Sequence, residues 1–579
     1  MDSLKRIVLM VVFIPAILDA QTRYTATWAS VDKHPPAPEW FKDAKFGIYY
    51  HWGVYAVPAY GDEWYPRNMF NSGSAAYNHH MSVYGDPKGN WPYHNFINGA
   101  NDKNGVFTQF APKLKSAGGK FDPDEWAALF DSAGAKFAGP VAEHHDGFSD
   151  WNSTVNEWNS VAKGPKLDLA QLFAAAIRAK GMKFMMSMHH AYHFTGFYQY
   201  VPAQTDSSLK KLYGQLSSTA ENQLWYDKLK EIIDNYQPDL IWQDFNMNMV
   251  SESQRLNFLS YYYNKALDWN KEVVATYKNN DFNKNGEVYD YERGGPADIT
   301  TPYWLTDDAI SSSTWCYTQG MGYYSTTQML HSLIDRVSKN GNMLLDIAPM
   351  ADGTIPQAQR TILLGIGDWL KRFGESIYST RAWTVYGEGP TKAGGGAFTA
   401  PLTGTNKDFR FTRSKDSATL YAICLGWPGN SAQVTISSIT ASRFAATGVY
   451  LFGTTAGTFT QINYTQNAQG LTFTTPSTQP YSALAYAFRI TSSRTVGIAP
   501  GAVPSERTVS VPGALWYGRL PFGSIKTIKG IAGIEVYSLQ GRRMLRHRFD
   551  TNGNTDGLKN VNKKNQISYV KYIPDGKWR

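Results

Sequence analysis

The sequence predicts an α/β chain, a (β/α)8-type barrel followed by a C-terminal β-sandwich domain. From about residue 45 to 378, short apolar runs alternate with segments of helical periodicity, the pattern of strands and helices in turn. Beyond Arg381 the chain becomes rich in Gly, Thr and Ser, with short alternating runs typical of strands joined by turns. No Gly-rich phosphate-binding motif follows the first strand, so a closed barrel fits better than an open sheet.

The repeating unit of the first region is a helix, a glycine and a strand. In residues 121–137, FDPDEWAALFDSAGAKF, Asp122 is placed to cap a helix, Pro123 suits its first position, and Gly134 ends it. Residues 167–190 repeat this unit. Further strands are predicted in KFGIYYHWG, DLIWQDF, EVVATYK and NMLLDIAP, and further helices near 220–235, 252–269, 326–338 and 356–373.

Four segments are predicted along the chain. They are a signal peptide (1–20), the catalytic barrel (21–380), the β-sandwich (381–491), and a linker plus a small basic module (492–579). Two basic residues precede an apolar run over 7–18, and Ala20 is a candidate cleavage residue. That run is too short to span a bilayer, and no later stretch reaches about 20 apolar residues. The prediction is a secreted chain, extracellular or periplasmic, with no membrane span.

Composition narrows the functional class. The net charge is +8, but residues 541–579 contain ten Lys/Arg and three Asp/Glu, so the rest is nearly neutral and nucleic-acid binding is not expected. The two cysteines, Cys316 and Cys424, are too few for a disulfide framework or a thiolate metal site. The 18 Trp and 36 Tyr indicate a site lined by aromatic rings, and carbohydrate is one candidate ligand.

Polar side chains follow four of the predicted strands. They are His51, Glu143 to Asp146, His189 with His190, and Asp244. In a barrel these positions meet at the C-terminal face, where function resides. A metal site is one interpretation, but neighbouring strand residues face opposite ways and no HxH or HExxH spacing occurs, so no metal is expected. Independent structural histidines are the other interpretation, which their clustering at strand ends disfavours.

Asp244 follows the apolar run PDLIW, where a carboxylate is costly unless it is paired or opens to a cleft. A nucleophile suits this position, and a helix cap is the alternative. A retaining glycosidase needs a second carboxyl group about 5–5.5 Å away. The candidates lie in GEVYDYERGGPADI, and spacing alone does not choose among Glu287, Asp290, Glu292 and Asp298.

Five segments occur in an order that resembles the α-L-fucosidases of glycoside hydrolase family 29. They are EWFKDAKFGIYYHWGVYAVPAYGDEWYPRNMF, FDPDEWAALFDSAGAKF, AEHHDGF, PDLIWQDF and GNMLLDIAPMADG. DFRFTRSKDSATLYAICLGWP resembles the C-terminal sandwich of that family, so the similarity covers roughly residues 39–428. The resemblance implies a retaining exo-hydrolase that acts on terminal L-fucose, with a fucosylated oligosaccharide or glycoconjugate as partner and no cofactor.

The resemblance also implies roles for individual residues. Asp244 matches the nucleophile of the family, and Glu292 is the preferred acid/base, with Glu287 and Asp307 in reserve. The expected substrate-binding residues are His51, Glu63, Trp64, His144, His145, His189, Lys278 and Trp315. Where many relatives carry a WE pair this chain has Trp304 and Leu305, which removes one rival acid.

Lys278 is a departure from the family pattern. It lies in TYKNN, where relatives often carry Arg in an NDRW motif. Lys is a point charge rather than a planar fork, so a different contact with the sugar or the nucleophile is expected. Two alternatives stay open at this point: a fucose-binding, lectin-like pseudoenzyme, and a retaining glycosidase for another terminal sugar. Linkage preference and oligomeric state are not predicted from the pattern.

Overall fold

The computed structural model describes residues 22–279, 281–283 and 285–493, together with four strands further along the chain. The chain divides into two compact units, Met1–Val496 and Gly497–Arg579. The predicted signal peptide lies outside the described residues, and so does most of the predicted linker. Within the described part, no helix is both long enough and apolar enough to cross a bilayer.

Eight parallel strands close into a barrel in the first unit, which confirms the predicted fold class. Each strand pairs with its neighbours in sequence, and the last strand pairs with the first through contacts such as Ile48 with Leu345. In chain order, β1 to β8 are Phe46–Tyr50, Phe137–Glu143, Lys183–Met188, Leu240–Gln243, Val274–Tyr277, Val288–Asp290, Trp304–Ala309 and Gly341–Ile347. β6 and β7 were not predicted, because β6 is only three residues long and β7 contains two aspartates.

Six longer helices accompany the barrel, at the positions predicted. They are Pro123–Ser132, Leu169–Ala179, Ser218–Tyr236, Glu252–Asp268, Thr326–Ser338 and Gln357–Phe373. The predicted cap is present, since the Asp122 carboxylate accepts the backbone N–H of both Asp124 and Glu125 at 3.1 Å. No helix follows β5 or β6 in the described residues of those connections. Their loops are therefore free to bring side chains to the barrel mouth.

Shorter elements lie mainly in the loops. The short helices are Trp28–Val31, Glu39–Ala44, Tyr65–Asn68, Ala75–Val83, Asn95–Asn98, His190–Tyr192 and Ser207–Leu212. Single turns occupy Val54–Ala56, Lys115–Ala117, Met247–Met249 and Gly374–Ser376, with a π-helical turn at His193–Phe197. A two-residue ladder joins Ala100–Asn101 to Phe107–Thr108.

The barrel interior is filled by large apolar side chains. Phe137, Met185, Leu240, Leu305 and Leu344 are all fully buried in one cluster inside the strands. Burial on both faces is typical of parallel barrel strands and explains their continuous apolar sequences. The packed interior leaves the C-terminal end of the barrel as the place for a ligand.

The β-sandwich follows the barrel, as predicted. One sheet has six strands, in the spatial order Arg381–Glu388, Phe409–Arg413, Thr419–Cys424, Tyr486–Thr491, Gly448–Phe452 and Phe459–Ile462. The other has three, Gln433–Ile436, Gly470–Thr474 and Tyr464–Asn467. Phe411, Leu420, Ile436 and Phe488 belong to the buried core between these strands. The strands at 381–388, 459–462 and 464–467 were not predicted, because little apolar alternation marks them.

The second unit contains an antiparallel sheet of four strands, within the range predicted to hold a small basic module. In spatial order these strands are Leu515–Tyr517, Ile567–Pro574, Ile531–Ser538 and Arg543–Arg548.

Candidate active site

All ten predicted site residues line one pocket at the C-terminal end of the barrel. Four further residues, Tyr49, Trp242, Phe245 and Asp307, complete its lining. The space between the side chains measures about 340 Å³. This volume includes space that is open to solvent, so it is an upper limit, and it suits a single sugar ring better than a long chain.

Asp244 lies at the floor of the pocket, directly after β4. Its Oδ2 lies 3.1 Å from Nε2 of His145 and 3.2 Å from Nδ1 of His189, and its Oδ1 lies 3.2 Å from the Lys278 ammonium. Burial by itself raises the pKa of Asp244, but the Lys278 charge and the two histidines outweigh burial and hold that pKa well below its usual value. Asp244 is therefore an ionised carboxylate that is largely buried, with 9% of its side chain exposed.

The two histidines that face Asp244 are oriented by hydrogen bonds on their other ring nitrogens. His145 donates from Nδ1 to the His189 carbonyl oxygen at 2.6 Å. The Ser187 hydroxyl lies 2.8 Å from Nε2 of His189, which leaves Nδ1 directed at the carboxylate. The two groups that orient these histidines, the His189 carbonyl oxygen and the Ser187 hydroxyl, both belong to the end of β3 or to the residue after it. The end of β3 therefore determines how the Asp244 carboxylate is held.

Lys278 is the electrostatic centre of the pocket. Its Nζ lies 2.9 Å from Oε2 of Glu292, 3.3 Å from Oδ2 of Asp307 and 3.9 Å from Asp290, besides the contact with Asp244. Burial lowers the pKa of Lys278, yet these carboxylates prevail and raise it well above its usual value. One permanent cation thus compensates a group of buried carboxylates.

Glu292 lies at the mouth of the pocket, where its side chain is 22% exposed. Burial raises its pKa, and the charges of Asp307 and Asp244 raise it further, while Lys278 opposes the shift. The contacts of Lys278 with Asp244 and Glu292, 3.2 and 2.9 Å, limit the separation of those two carboxylate oxygens to 6.1 Å. This limit is below the roughly 6.5–9.5 Å found in inverting glycosidases.

The other carboxyl groups that the sequence offered as the acid/base lie in different positions relative to the pocket. Glu287 is buried outside the pocket lining and accepts a hydrogen bond from the Tyr263 hydroxyl at 3.2 Å. Asp290 is buried beneath the pocket and accepts the backbone N–H of Asp307 at 2.9 Å. Asp298 is exposed. Asp307 does line the pocket, but it is only 1% exposed and accepts a hydrogen bond from Tyr49. The open position belongs to Glu292.

The pocket wall combines polar groups with aromatic rings. His51 donates from Nδ1 to Asp346 at 2.8 Å, which directs its other nitrogen away from that carboxylate. The Glu63 carboxylate accepts the backbone N–H of Trp315 at 3.0 Å, and burial raises its pKa. The Arg293 guanidinium lies 4.3 Å from the centre of the Trp315 ring.

Sequence reasoning missed several residues of this site. Tyr49 and Trp242 lie inside strands that read as core, so nothing in their local pattern marks them. Asp346, which orients His51, carried a signal, because it is a carboxylate near the end of the apolar run NMLLDIAP. Arg293 directly follows Glu292, and only its packing on Trp315 reveals its place at the site.

The pocket brings together two sets of side chains that could coordinate a metal ion. His51, His144 and His189 form one set, and His145, His189 and Asp244 form the other, each with donor atoms within 4.8 Å of one another. The Lys278 ammonium competes with a metal cation for Asp244. The same nitrogens also suit the hydroxyl groups of a neutral sugar, which both donate and accept hydrogen bonds.

The electrostatics divide the two principal carboxyl groups by role. Asp244 is kept ionised, whereas Glu292 has an increased affinity for its proton. Divergent pKa values on two neighbouring carboxyl groups are the arrangement that separates a nucleophile from a general acid. The site can therefore attack an acetal carbon from one side of a sugar and protonate its leaving oxygen.

Comparison with known families gives a consistent result. The model of the family Alpha-L-fucosidase matches residues 11–375, well over half of the chain. The model described as the Alpha-L-fucosidase C-terminal domain matches residues 404–491, which contain most of the sandwich.

Individual relatives agree with the family match. The tissue alpha-L-fucosidase of Rattus norvegicus is 31% identical over 416 residues, covering 71% of this chain and 80% of the rat protein. The alpha-L-fucosidase of Dictyostelium discoideum is 27% identical over 505 residues, covering 84% and 99%. The crystal structure of Thermotoga maritima α-fucosidase in complex with fucose superposes with a TM-score of 0.63 at 26% identity, covering 81% of this chain and 100% of that one. This chain therefore belongs to the α-L-fucosidase family of glycoside hydrolases.

Proposed function

We propose that the protein is a retaining, exo-acting α-L-fucosidase that removes terminal α-L-fucose from fucosylated oligosaccharides or glycoconjugates. The observation that supports it best is the shared contact of Asp244 and Glu292 with Lys278. This contact limits the separation of their facing oxygens to 6.1 Å, which is below the roughly 6.5–9.5 Å of inverting enzymes and compatible with direct attack by one carboxylate. The small pocket volume favours a single terminal sugar.

In the first step, the ionised Asp244 attacks the anomeric carbon of fucose. The bond between this carbon and the glycosidic oxygen breaks, and Glu292 transfers its proton to the departing oxygen. The product is a covalent fucosyl-enzyme on Asp244. The exposure of Glu292 at the pocket mouth suits this role, since the leaving group departs toward solvent.

In the second step, a water molecule enters where the leaving group departed. Glu292, now a carboxylate, takes a proton from this water as its oxygen attacks the anomeric carbon, and Asp244 leaves as a carboxylate. Two inversions give net retention. Lys278 stays charged throughout and compensates the negative charge as it moves from Asp244 to Glu292.

The remaining pocket residues bind the sugar. His51, His144 and Glu63 offer hydrogen-bonding groups to the hydroxyls, while Trp64 and Trp315 provide apolar surfaces for the ring and its methyl group. Burial lowers the pKa of His51 and of His144 well below the usual value, so both are neutral and able to donate or accept. His145 and His189 act through their contacts with Asp244.

Trapping of the intermediate tests the proposal directly. A 2-deoxy-2-fluoro-fucosyl fluoride should inactivate the enzyme, and peptide mapping should place the label on Asp244. Asp244→Ala should lower hydrolysis of 4-nitrophenyl α-L-fucoside by at least about 10³-fold. Proton NMR should detect α-fucose as the first product. A label on another side chain, or β-fucose as first product, would refute the mechanism.

The same experiments separate the alternatives. A lectin-like pseudoenzyme would bind fucose at saturation and release no 4-nitrophenol. A glycosidase for another sugar would cleave a different aryl glycoside faster than the fucoside.

Export is also proposed, from the basic and apolar start of the sequence. Amino-terminal sequencing of the protein recovered outside the cytoplasm should begin near Gln21, and recovery of the unprocessed chain only from the cytoplasm would contradict it.

A further inference from the structure

Three buried side chains meet behind the wall of the catalytic pocket, in a cluster that the proposed reaction does not use. His190 and His193 lie in the segment that follows β3, and Glu221 lies in the first turn of helix Ser218–Tyr236. Each is at most 1% exposed. One potential ligand atom from each lies within 4.8 Å of the other two.

The hydrogen bonds around this cluster establish which atoms are free. The Nδ1–H of His190 donates to the Glu143 carboxylate at 2.5 Å, and the Nε2–H of His193 donates to the Leu212 carbonyl oxygen at 2.8 Å. Glu221 accepts the backbone N–H of Leu216 on Oε1 at 2.9 Å. This leaves Nε2 of His190, Nδ1 of His193 and Oε2 of Glu221, and all three are buried without a hydrogen-bond partner.

When Glu221 is ionised, each of these three atoms is a lone-pair acceptor and none can donate to another. Burial raises the pKa of Glu221 to about 7, which is the expected cost of a buried carboxylate with no cation on this oxygen. The Lys228 ammonium lies 2.8 Å from the Glu143 carboxylate and 3.3 Å from Nδ1 of His190, so its recorded contacts are with other atoms than these three. A buried carboxylate oxygen and two buried imidazole nitrogens without a donor are costly. Something that accepts electron pairs is needed between them.

The ligand set has the chemistry of a zinc site. Two imidazole nitrogens and a carboxylate oxygen are a common three-residue set for Zn²⁺, with a water molecule in the fourth position. Metal-bound histidines usually donate their other N–H to a carboxylate or a backbone carbonyl, as His190 and His193 do here. Their rings also stack, with centres 4.6 Å apart.

We propose that His190, His193 and Glu221 bind one divalent cation of the zinc class. The ion joins the segment after β3 to helix Ser218–Tyr236, two elements that are 28 residues apart at their nearest ligands. His193 also lines a surface cavity with Tyr213 and Gln215, which offers the ion a route from solvent.

The ion has a positioning role for the catalytic pocket. His189 immediately precedes His190, its Nδ1 faces Asp244, and its carbonyl oxygen orients His145. A metal bound to His190 and His193 therefore holds the backbone that directs both imidazoles at the nucleophile candidate. The ion itself touches no reacting atom.

Metal content of the full chain tests this proposal. The purified protein, dialysed against zinc chloride and then against metal-free buffer, should retain about one zinc per chain by mass spectrometry of the dissolved metal. His193→Ala and Glu221→Gln should each lose it. Glu221→Gln preserves the size of the side chain and the oxygen that accepts the Leu216 N–H, so the variant should fold. Circular dichroism checks this folding, so that a loss of zinc cannot be attributed to unfolding.

His144→Ala is the matched control, because His144 belongs to the other histidine cluster and should leave the zinc in place. A strong chelator should lower the Tm of the wild type by several degrees and leave the Tm of Glu221→Gln unchanged. The proposal is overturned if the wild type retains no zinc, or if His144→Ala releases it while Glu221→Gln retains it.

Discussion

The ammonium of Lys278 lies 2.9 Å from the carboxylate of Glu292. The same nitrogen lies 3.2 Å from Asp244, so one point charge serves both carboxyl groups of the proposed mechanism. A lysine can do this because its three N–H bonds diverge from one atom, whereas the planar fork of arginine favours a single carboxylate. Because of this shared contact, the pKa values of Asp244 and Glu292 depend on each other and on the charge of Lys278.

Removal of this charge should change both activity and stability. Lys278→Met should raise the pKa of Asp244, and since ionised Asp244 is needed, the acid limb of kcat/KM should move to higher pH. We expect kcat/KM at neutral pH to fall by about 10²-fold or more. The unpaired buried carboxylates should reduce the free energy of unfolding by about 3–5 kcal/mol. Activity profiles and urea unfolding measure the two effects.

Lys278→Arg is the control for that substitution. It retains the charge, so its acid limb should stay where the wild type has it, with a smaller loss of kcat/KM. If the methionine variant kept the wild-type acid limb, Lys278 would not control the ionisation of Asp244.

The alkaline limb should report on Glu292. Its protonated form is the one required in the first step, and its pKa is raised, so kcat/KM on an oligosaccharide should fall as pH rises through this value. Glu292→Gln should lower kcat/KM on the oligosaccharide by about 10²- to 10⁴-fold. With a 4-nitrophenyl leaving group, which needs no proton, the loss of kcat/KM should be far smaller, and azide should restore the turnover that is lost when the base is missing from the second step.

Asp298→Asn serves as control for Glu292, since it removes an exposed carboxylate from the same connection. It should keep the wild-type pH profile on both substrates. If azide restored the activity of a Glu287 variant but not that of the Glu292 variant, the acid/base role would belong to Glu287.

Glu287 should affect stability rather than catalysis. Burial raises its pKa to about 8, so the folded protein keeps a proton that the unfolded chain loses above about 4.5. The folded state binds more protons in this window, and its stability therefore falls as pH rises from about 4.5 to 8. Glu287→Gln removes that loss, so urea unfolding should find the variant more stable than the wild type at pH 8 by about 1 kcal/mol or more.

The increase in the free energy of unfolding of Glu287→Gln should be smaller at pH 5 than at pH 8. Its activity should stay within about twofold of the wild type at pH 7, where the wild-type side chain is already mostly neutral. The exposed Glu272→Gln is the control and should leave stability unchanged at both pH values. A gain that does not depend on pH would contradict the assigned ionisation.

The sandwich should contribute to placing the acid. A loop between its first two strands is hydrogen-bonded to the Glu292 segment, with Phe398 N–H donating to the Glu292 carbonyl at 2.8 Å and Gly396 exchanging two bonds with Gly295. A methyl group on Gly294 would lie 2.0 Å from the Gly396 carbonyl oxygen. Gly294→Ala should therefore displace the acid and lower kcat on an oligosaccharide by about 10- to 100-fold.

Hydrolysis of 4-nitrophenyl α-L-fucoside, which does not need the acid, should change far less in Gly294→Ala. Gly394→Ala tests the same loop with a milder contact, 3.1 Å from Cγ2 of Thr399, and should behave like the wild type. An equal loss on both substrates would indicate general damage to the pocket.

Local patterns in the sequence were sufficient for much of the fold. The six longer helices follow from apolar periodicity and from caps such as Asp122, which depend only on neighbours along the chain. Six of the eight barrel strands are apolar enough to be identified. The short β6 and the aspartate-containing β7 are stabilised by pairing with their neighbours, and pairing leaves no local pattern.

The sequence by itself determined the fold class and placed polar side chains at strand ends, because both are properties of runs of consecutive residues. Only the tertiary structure decided that Lys278 would touch Asp244, Glu292 and Asp307, and that Glu221 would meet His190 and His193. Barrel closure and helix packing determine these neighbours. They depend on the register between strands and on the rotation of each helix about its own axis, and neither is a property of a single segment. Contacts between distant segments, and the pKa values that they produce, therefore appear only when the chain is folded.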